Sequence, residues 1–191
     1  AYLEHFPRGM VQFQPDANLA RQRQVFQVWI RPVEPENGHF ALRIALFELK
    51  KLIENGLSQE DFENTRSFLD KYASLMATRQ SAQLGYSLDG EYYGTGEFVP
   101  WVRGQLASLT RDMVNQAIRS HLSWENVAIV AVTKDAEALR DAIVGNKPSP
   151  IAYNAPKPPD VLEEDKRIER FALKIGPESA RVVDIEKVFE D

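Results

Sequence analysis

An arginine and a tyrosine seven residues apart, Arg79 and Tyr86, are the side chains in this sequence best suited to chemistry. In an unbroken helix seven residues span about 10.5 Å, so both side chains lie on nearly the same face. A guanidinium offers a fork of hydrogen-bond donors and a phenol offers one donor, and neither group is a base at pH 7. Such a pair suits binding of a carbonyl, a carboxylate or a developing oxyanion, and does not suit proton abstraction.

A helix that begins at Ser58 must position this pair. Ser58 is a good N-cap residue, and Asp61 stands three residues later, at the capping-box position. A stripe at steps of three and four residues follows, through Phe62, Thr65, Leu69, Tyr72 and Met76, and the same steps lead on to Arg79, Gln83 and Tyr86. The alternative is a helix that ends near Ala77 and leaves Arg79 facing water, because single charges beside an apolar stripe are common.

The histidines, His5, His39 and His121, do not have the spacing of a metal site. Neither H-E-x-x-H nor H-x-x-E-H occurs, and no G-x-S-x-G indicates a serine nucleophile. The sequence has no cysteine, which excludes a disulfide and a thiol nucleophile. We therefore expect no catalytic residue and no metal ligand set in this chain alone.

Composition and charge limit the partners. Hydrophobic residues make up 43% and charged residues 27% of the 191 residues, as in an ordinary globular protein. The net charge of −5 argues against nucleic acid as a partner, since phosphate contacts need a basic surface. No apolar stretch approaches the roughly 18 residues that a membrane-spanning helix needs, so we expect no membrane span.

The order of apolar patterns predicts a mixed α+β fold. Residues 24–31 alternate like a strand, and residues 126–133 form an apolar run rich in β-branched residues that indicates a buried central strand. Residues 10–13 are a weaker strand candidate. A helix is predicted over residues 38–55, and it ends before Gly56. Two further helices are predicted to begin after the N-cap candidates Thr110 and Asp135.

A proline-rich stretch divides the chain. Five prolines occur between residues 148 and 159, which is typical of a stiff, extended connector. We predict one domain over residues 1–147, and a connector with a C-terminal arm over residues 148–191. The arm carries weak strand signals at Phe171, Leu173, Ile175, Val183 and Ile185.

Several of these stretches together resemble the inverted-zinc-motif metallopeptidases, the family of insulinase, pitrilysin and the mitochondrial processing peptidases. The run LFELKKLIENGLSQEDFENTRSFL, residues 46–69, resembles their C-terminal halves. Arg79-x6-Tyr86 has the spacing of that family's substrate-contacting pair, and NVAIVAVTKD resembles its late central strand. The tail PSPIAYNAPKPPDVLEEDK is similar to bacterial two-subunit or two-domain members.

The resemblance implies an α+β domain, with an antiparallel or mixed sheet and helices packed on one side. The zinc half of that family carries H-x-x-E-H, whereas this sequence lacks it and so resembles the other half. Residues 1–147 would then be a peptidase-like domain that starts inside the family's domain. By this resemblance Arg79 and Tyr86 hold the peptide substrate near its scissile carbonyl. Zinc would lie on a partner half, fused or separate, in a periplasmic enzyme.

Three functions are consistent with the sequence. The first is the substrate-binding, zinc-free half of a zinc metalloendopeptidase, inactive as this chain alone. The second is a non-catalytic structural or assembly subunit of the same family. The third is a peptide- or protein-binding module with an apolar groove lined by Tyr86, Tyr92 and Tyr93.

Overall fold

The structure, a computed structural model, describes residues 26–184 and residue 186. This part of the chain is 61% helical. Its α-helices are α1 (Gly38–Asn55), α2 (Gln59–Met76), α3 (Gln80–Tyr93), α4 (Phe98–Ser108), α5 (Arg111–His121), α6 (Ala136–Val144) and α7 (Pro159–Ile168), with short 3-10 turns at Pro35–Asn37 and Pro177–Ser179.

The predicted α+β fold is wrong, because residues 26–184 contain no strand and no sheet. Residues 26–31 and 126–133 have the composition of strands but lie in irregular segments, and Val130 and Val132 are 91% and 88% exposed. β-branched side chains favour extended backbone, yet a strand also needs a neighbour that pairs its N–H and C=O groups. Within the described residues, no backbone hydrogen bond supplies residues 127–133 with such a neighbour. The predicted strand at 10–13, the start of 24–31, His5 and Ile185 fall outside the described residues.

The C-terminal arm also differs from its prediction. Helix α7 begins at Pro159, within the last prolines of the predicted connector, because proline suits the first turn of a helix. The strand signals at residues 171–175 form no strand. Phe171 instead packs edge-on against Phe47 of α1, with ring centroids 5.6 Å apart, and Leu173 is buried.

The described chain divides into two compact units. Residues 55–122 form one unit, which holds α2 to α5, and residues 28–54 and 123–184 form the other, which holds α1, α6 and α7. The domain boundary predicted at residue 147 stays a prediction.

Packing of α2 against α4 forms the core of the unit with residues 55–122. Ala73, Val102 and Leu106 are buried together, and Leu69, Phe98, Trp101 and Leu109 pack around them. The start of α2 is as predicted, since the backbone N–H of Asp61 donates to the Ser58 hydroxyl at 3.0 Å. Such a cap satisfies one of the N–H groups that the first turn leaves unpaired.

The turn between α1 and α2 is fixed by a side chain from α5. Gly56 adopts φ of 70°, as predicted for the residue after a helix. The Asn115 amide accepts from the Leu57 N–H at 2.7 Å and donates to the Leu57 carbonyl at 3.2 Å. A side chain on Gly56 would collide with that amide, so glycine is required here for both backbone and space.

Candidate functional site

Arg79 lies at a break between two helices. α2 ends at its C-cap, Ala77, and Arg79 is the N-cap of α3, with φ of −86° and ψ of 140°. The long unbroken helix from Ser58 is therefore not formed, and the predicted alternative, an end near Ala77, is the one observed. The side chain of Arg79 is exposed.

Tyr86 has a different environment from Arg79. Its side chain is buried in the unit with residues 55–122. Its ring stacks on Phe98 at the start of α4, with centroids 3.8 Å apart and planes 9° from parallel. The aromatic ring thus packs α3 against α4, whereas Arg79 faces solvent. A shared role of the two residues in binding a peptide stays a prediction.

Three apolar side chains line the face of α3 opposite Tyr86. Leu84, Leu88 and Tyr92 follow one another at steps of four residues and are 62%, 52% and 83% exposed. We call this line the α3 stripe. Eight residues of helix separate its ends, a length of about 12 Å. The other face of α3 carries the buried residues Tyr86 and Gly90, so the helix presents one apolar face inward and another to solvent.

Of the three tyrosines proposed to line a groove, only two lie near the surface together. Tyr92 is exposed, and Tyr93 meets it edge-on, with ring centroids 4.9 Å apart. Tyr86 is buried and contributes no surface. No role was predicted from the sequence for Leu84 and Leu88, although their four-residue spacing from Tyr92 is visible there.

A glycine turn holds the C-terminal end of the α3 stripe. Gly94 adopts φ of 67°, and its N–H donates to the Gly90 carbonyl. The Thr95 N–H donates to the same carbonyl at 3.0 Å. The carbonyl oxygen of Gly96 approaches Gly90 so closely that a Cβ there would collide with it. The chain therefore bends at these glycines, and the bend fixes where α3 ends.

A shallow surface depression of about 250 Å³ lies beside α2 and α4. Its charged lining residues neutralise each other, because Arg66 lies 2.5 Å from Glu63 and Arg103 lies 3.2 Å from Asp70. Exposed pairs of this kind contribute little to stability. Among the residues that the structure describes, no three His, Cys, Asp or Glu side chains are grouped to hold a metal ion.

A buried arginine is the most unusual polar group in the unit with residues 28–54 and 123–184. Arg43 of α1 is fully buried and donates to Ser149 Oγ at 2.9 Å, to Asn146 Oδ1 at 2.8 Å and to the Glu169 carbonyl. It thereby joins α1 to the start of the proline-rich stretch and to the end of α7. No role was predicted from the sequence for Arg43, which stands among the apolar residues of α1.

His39 lies one turn before Arg43 and is also buried. Burial, and secondly the positive charge of Arg43, lower the pKa of His39 to about 4 from 6.5. Among the described residues, no hydrogen-bond partner is present for His39 Nε2 or Arg43 Nε. His39 is therefore neutral near pH 7, and its surroundings oppose protonation.

Comparison with known proteins found no matching family model, no matching curated protein and no matching solved structure. The likeness to the inverted-zinc-motif peptidases thus depends on the sequence stretches quoted above and stays a prediction. No helix in the described ranges combines the length and apolar character needed to cross a membrane.

Proposed function

We propose that this chain is a protein-binding module and that the α3 stripe is its contact surface. The supporting observation is the exposure of Leu84, Leu88 and Tyr92 along one line of a single helix. Single exposed apolar residues are normal, but a contiguous apolar line on a helix that already buries its opposite face is typical of an interaction site.

The spacing of the stripe defines the partner. Residues four apart form a ridge that fits the groove between rows of side chains on another helix. Glu91 is exposed and lies seven residues after Leu84, at the edge of the stripe, and the chain carries a net charge of −5. The partner is therefore an amphipathic helix with an apolar face and basic residues beside it.

Fluorescence anisotropy with a labelled amphipathic peptide tests this function. The probe is a peptide of about 18 leucine and lysine residues, long enough to be helical on binding. Leu88→Ser removes the centre of the stripe. Burial of the exposed half of a leucine contributes about 1 kcal/mol, so the Kd should rise five- to tenfold.

The matched control is Leu75→Ser on α2, because Leu75 is 63% exposed and lies outside the stripe. This variant should leave the Kd unchanged. A scrambled peptide of the same composition controls for attraction between lysines and the acidic chain. Equal losses in both variants, or equal binding of both peptides, would show that the stripe is not the binding surface.

The zinc-free half of a metalloendopeptidase is a second candidate, favoured by the exposed position of Arg79 at the start of α3. In this candidate Arg79 contacts the peptide, zinc lies on the partner half, and the assembly is periplasmic. Arg79→Ala should then lower turnover of a quenched-fluorescence peptide about 10²- to 10³-fold in the complete assembly, the scale for one oxyanion donor. Unchanged turnover would favour the non-catalytic assembly subunit.

A further inference from the structure

The segment that joins α6 to α7, residues 146–158, is held at its start by a side chain of α1. It contains four prolines and neither a helix nor a strand. We call it the strap. Because proline has no N–H, the strap has few backbone donors of its own to hold it. Arg43 donates to Asn146 Oδ1 and to Ser149 Oγ, and the Ser149 N–H donates to the Glu169 carbonyl at 3.0 Å.

Of the two side-chain attachments that hold the strap among the described residues, the one at Arg43 lies deeper. Arg43 is fully buried, and Ser149 is 7% exposed. In the other attachment, the Tyr153 hydroxyl donates to Asp165 of α7 at 2.9 Å, and Tyr153 is 36% exposed. Hydrogen bonds are stronger away from water, so a change that displaces Arg43 should release the start of the strap.

His39 lies beside Arg43 in the same buried site. It precedes Arg43 by four residues, on the same face of α1, and is 6% exposed. Within the described ranges its Nε2 atom has no hydrogen-bond partner. Burial lowers the pKa of Arg43, and the Glu169 carboxylate opposes that effect. A proton on His39 therefore adds a second positive charge to a site that already holds one.

Charged groups on the neighbouring elements do not bond to His39 within the described chain. Those on α6, in the strap and at the end of α7 are at least partly exposed: Glu137, Arg140, Asp141, Lys147, Lys157 and Glu169. Helix α6 approaches the start of α1 through Leu139, which lies next to Gly38, and its Arg140 and Asp141 pair with each other at 2.7 Å. The buried Asp165 of α7 accepts from Tyr153.

We propose that the strap is released by acid: a proton on His39 places a second cation beside Arg43, Arg43 leaves its acceptors, and the start of the strap detaches from α1. Two like charges repel strongly where water is excluded, and release lets both of them reach water. This conformational device lies in the unit with residues 28–54 and 123–184, so it does not depend on the α3 stripe.

The direction and size of the effect follow from proton binding. Burial, and secondly Arg43, lower the pKa of His39 to about 4 in the attached form, whereas an imidazole in water has a value of 6.5. The released form thus binds the proton more tightly, and its population grows as the pH falls below 6.5. Between pH 7 and pH 5 the ratio of released to attached form should rise about 20-fold.

Amide hydrogen exchange of the whole chain at pH 7 and pH 5, corrected for the intrinsic exchange rate at each pH, tests the proposal. The opening constant at the Ser149 N–H should rise about 20-fold at pH 5. The Leu57 N–H, which donates to Asn115 in the other unit, is the internal control and should show no such rise. An equal rise at Leu57 would mean general unfolding in acid and would overturn the proposal.

Two variants separate His39 from the nearest carboxylate. His39→Gln should abolish the rise at Ser149, whatever its exchange at pH 7. Glu169→Gln is the matched control: it removes the charge next to Arg43, keeps the backbone carbonyl that accepts from Ser149, and should retain the rise. A rise that persists in His39→Gln, or one that disappears in Glu169→Gln, would overturn the proposal.

A titration of the wild type by NMR decides the question if His39→Gln does not fold. The imidazole signals of His39 should change with a midpoint below pH 5, together with the loss of Ser149 protection. A midpoint near 6.5, the ordinary pKa of histidine, would show that the attached strap does not oppose the proton and would overturn the proposal.

Discussion

Replacing Arg43 with methionine should weaken the unit formed by residues 28–54 and 123–184. The guanidinium donates to three acceptors at once: Ser149 Oγ at 2.9 Å, Asn146 Oδ1 at 2.8 Å and the Glu169 carbonyl. Methionine has similar length and fills the buried space, but it donates to none of them. Arg43→Lys retains the charge and loses the planar fork, so its effect should be smaller.

The size of the effect follows from two opposing contributions. A hydrogen bond that involves a charged group contributes about 1.5–3 kcal/mol, and three are lost in Arg43→Met. Removal of the guanidinium also removes the cost of holding a charge away from water. The net fall in the free energy of unfolding should be about 3 kcal/mol, a large part of the roughly 5–15 kcal/mol of a typical domain.

Urea unfolding followed by circular dichroism measures this change, and amide exchange locates it. The N–H of Ser149 donates to the Glu169 carbonyl at 3.0 Å, the same oxygen that Arg43 contacts. Exchange should therefore accelerate at residues 146–149 in Arg43→Met and should not change in α2 to α5. An unfolding free energy within about 0.5 kcal/mol of wild type, the usual range for surface substitutions, would refute the structural role of Arg43.

Substitutions test three further local features. The pKa of His39 is lowered from 6.5 to about 4. The free energy of unfolding should therefore have its highest value above pH 6.5 and fall by up to about 3 kcal/mol as the pH drops toward 4. Urea titrations should show that the His39→Gln variant loses the part of this pH dependence between pH 5 and 6.5. Asn115→Leu should lower the free energy of unfolding, measured by thermal unfolding, by about 2 kcal/mol, because two hydrogen bonds to the Leu57 backbone disappear. Asn115→Asp should lower it less, since the aspartate still accepts from the Leu57 N–H. Gly90→Ala should lower the free energy of unfolding by about 1–3 kcal/mol, because the new Cβ meets a backbone carbonyl. Gly104→Ala on α4, with open space around it, should leave that free energy unchanged or raise it. Equal effects of the two substitutions would contradict the close approach at the end of α3.

Local sequence signals predicted the starts of α2, α5 and α6 and the end of α1. The side chains of Ser58, Thr110 and Asp135 cap α2, α5 and α6 as expected, and Gly56 has the positive φ expected after α1. The bounds predicted for α1, residues 38–55, are those observed. Caps and glycine turns depend on hydrogen bonds within a few residues, so they can be inferred without the tertiary structure.

Features that depend on distant residues could not be inferred in this way. The buried central strand predicted over residues 126–133 is wrong, because a strand requires a neighbouring strand that the described chain lacks. The role of Arg43 depends on residues more than 100 positions away. The exposure of Leu84 and Leu88 depends on which face of α3 meets α4, and the stacking of Tyr86 on Phe98 decides that.

Methyl NMR of a leucine-labelled chain, titrated with the amphipathic leucine–lysine peptide, tests the proposed function most directly. The methyl signals of Leu84 and Leu88 should shift with a saturating, concentration-dependent profile, while those of Leu75 should not move. Because all three leucines are exposed, the comparison separates the α3 stripe from general attraction to apolar surface. Equal shifts at Leu75, or no shift at Leu84 and Leu88 at saturation, would contradict the assignment of the α3 stripe as the binding surface.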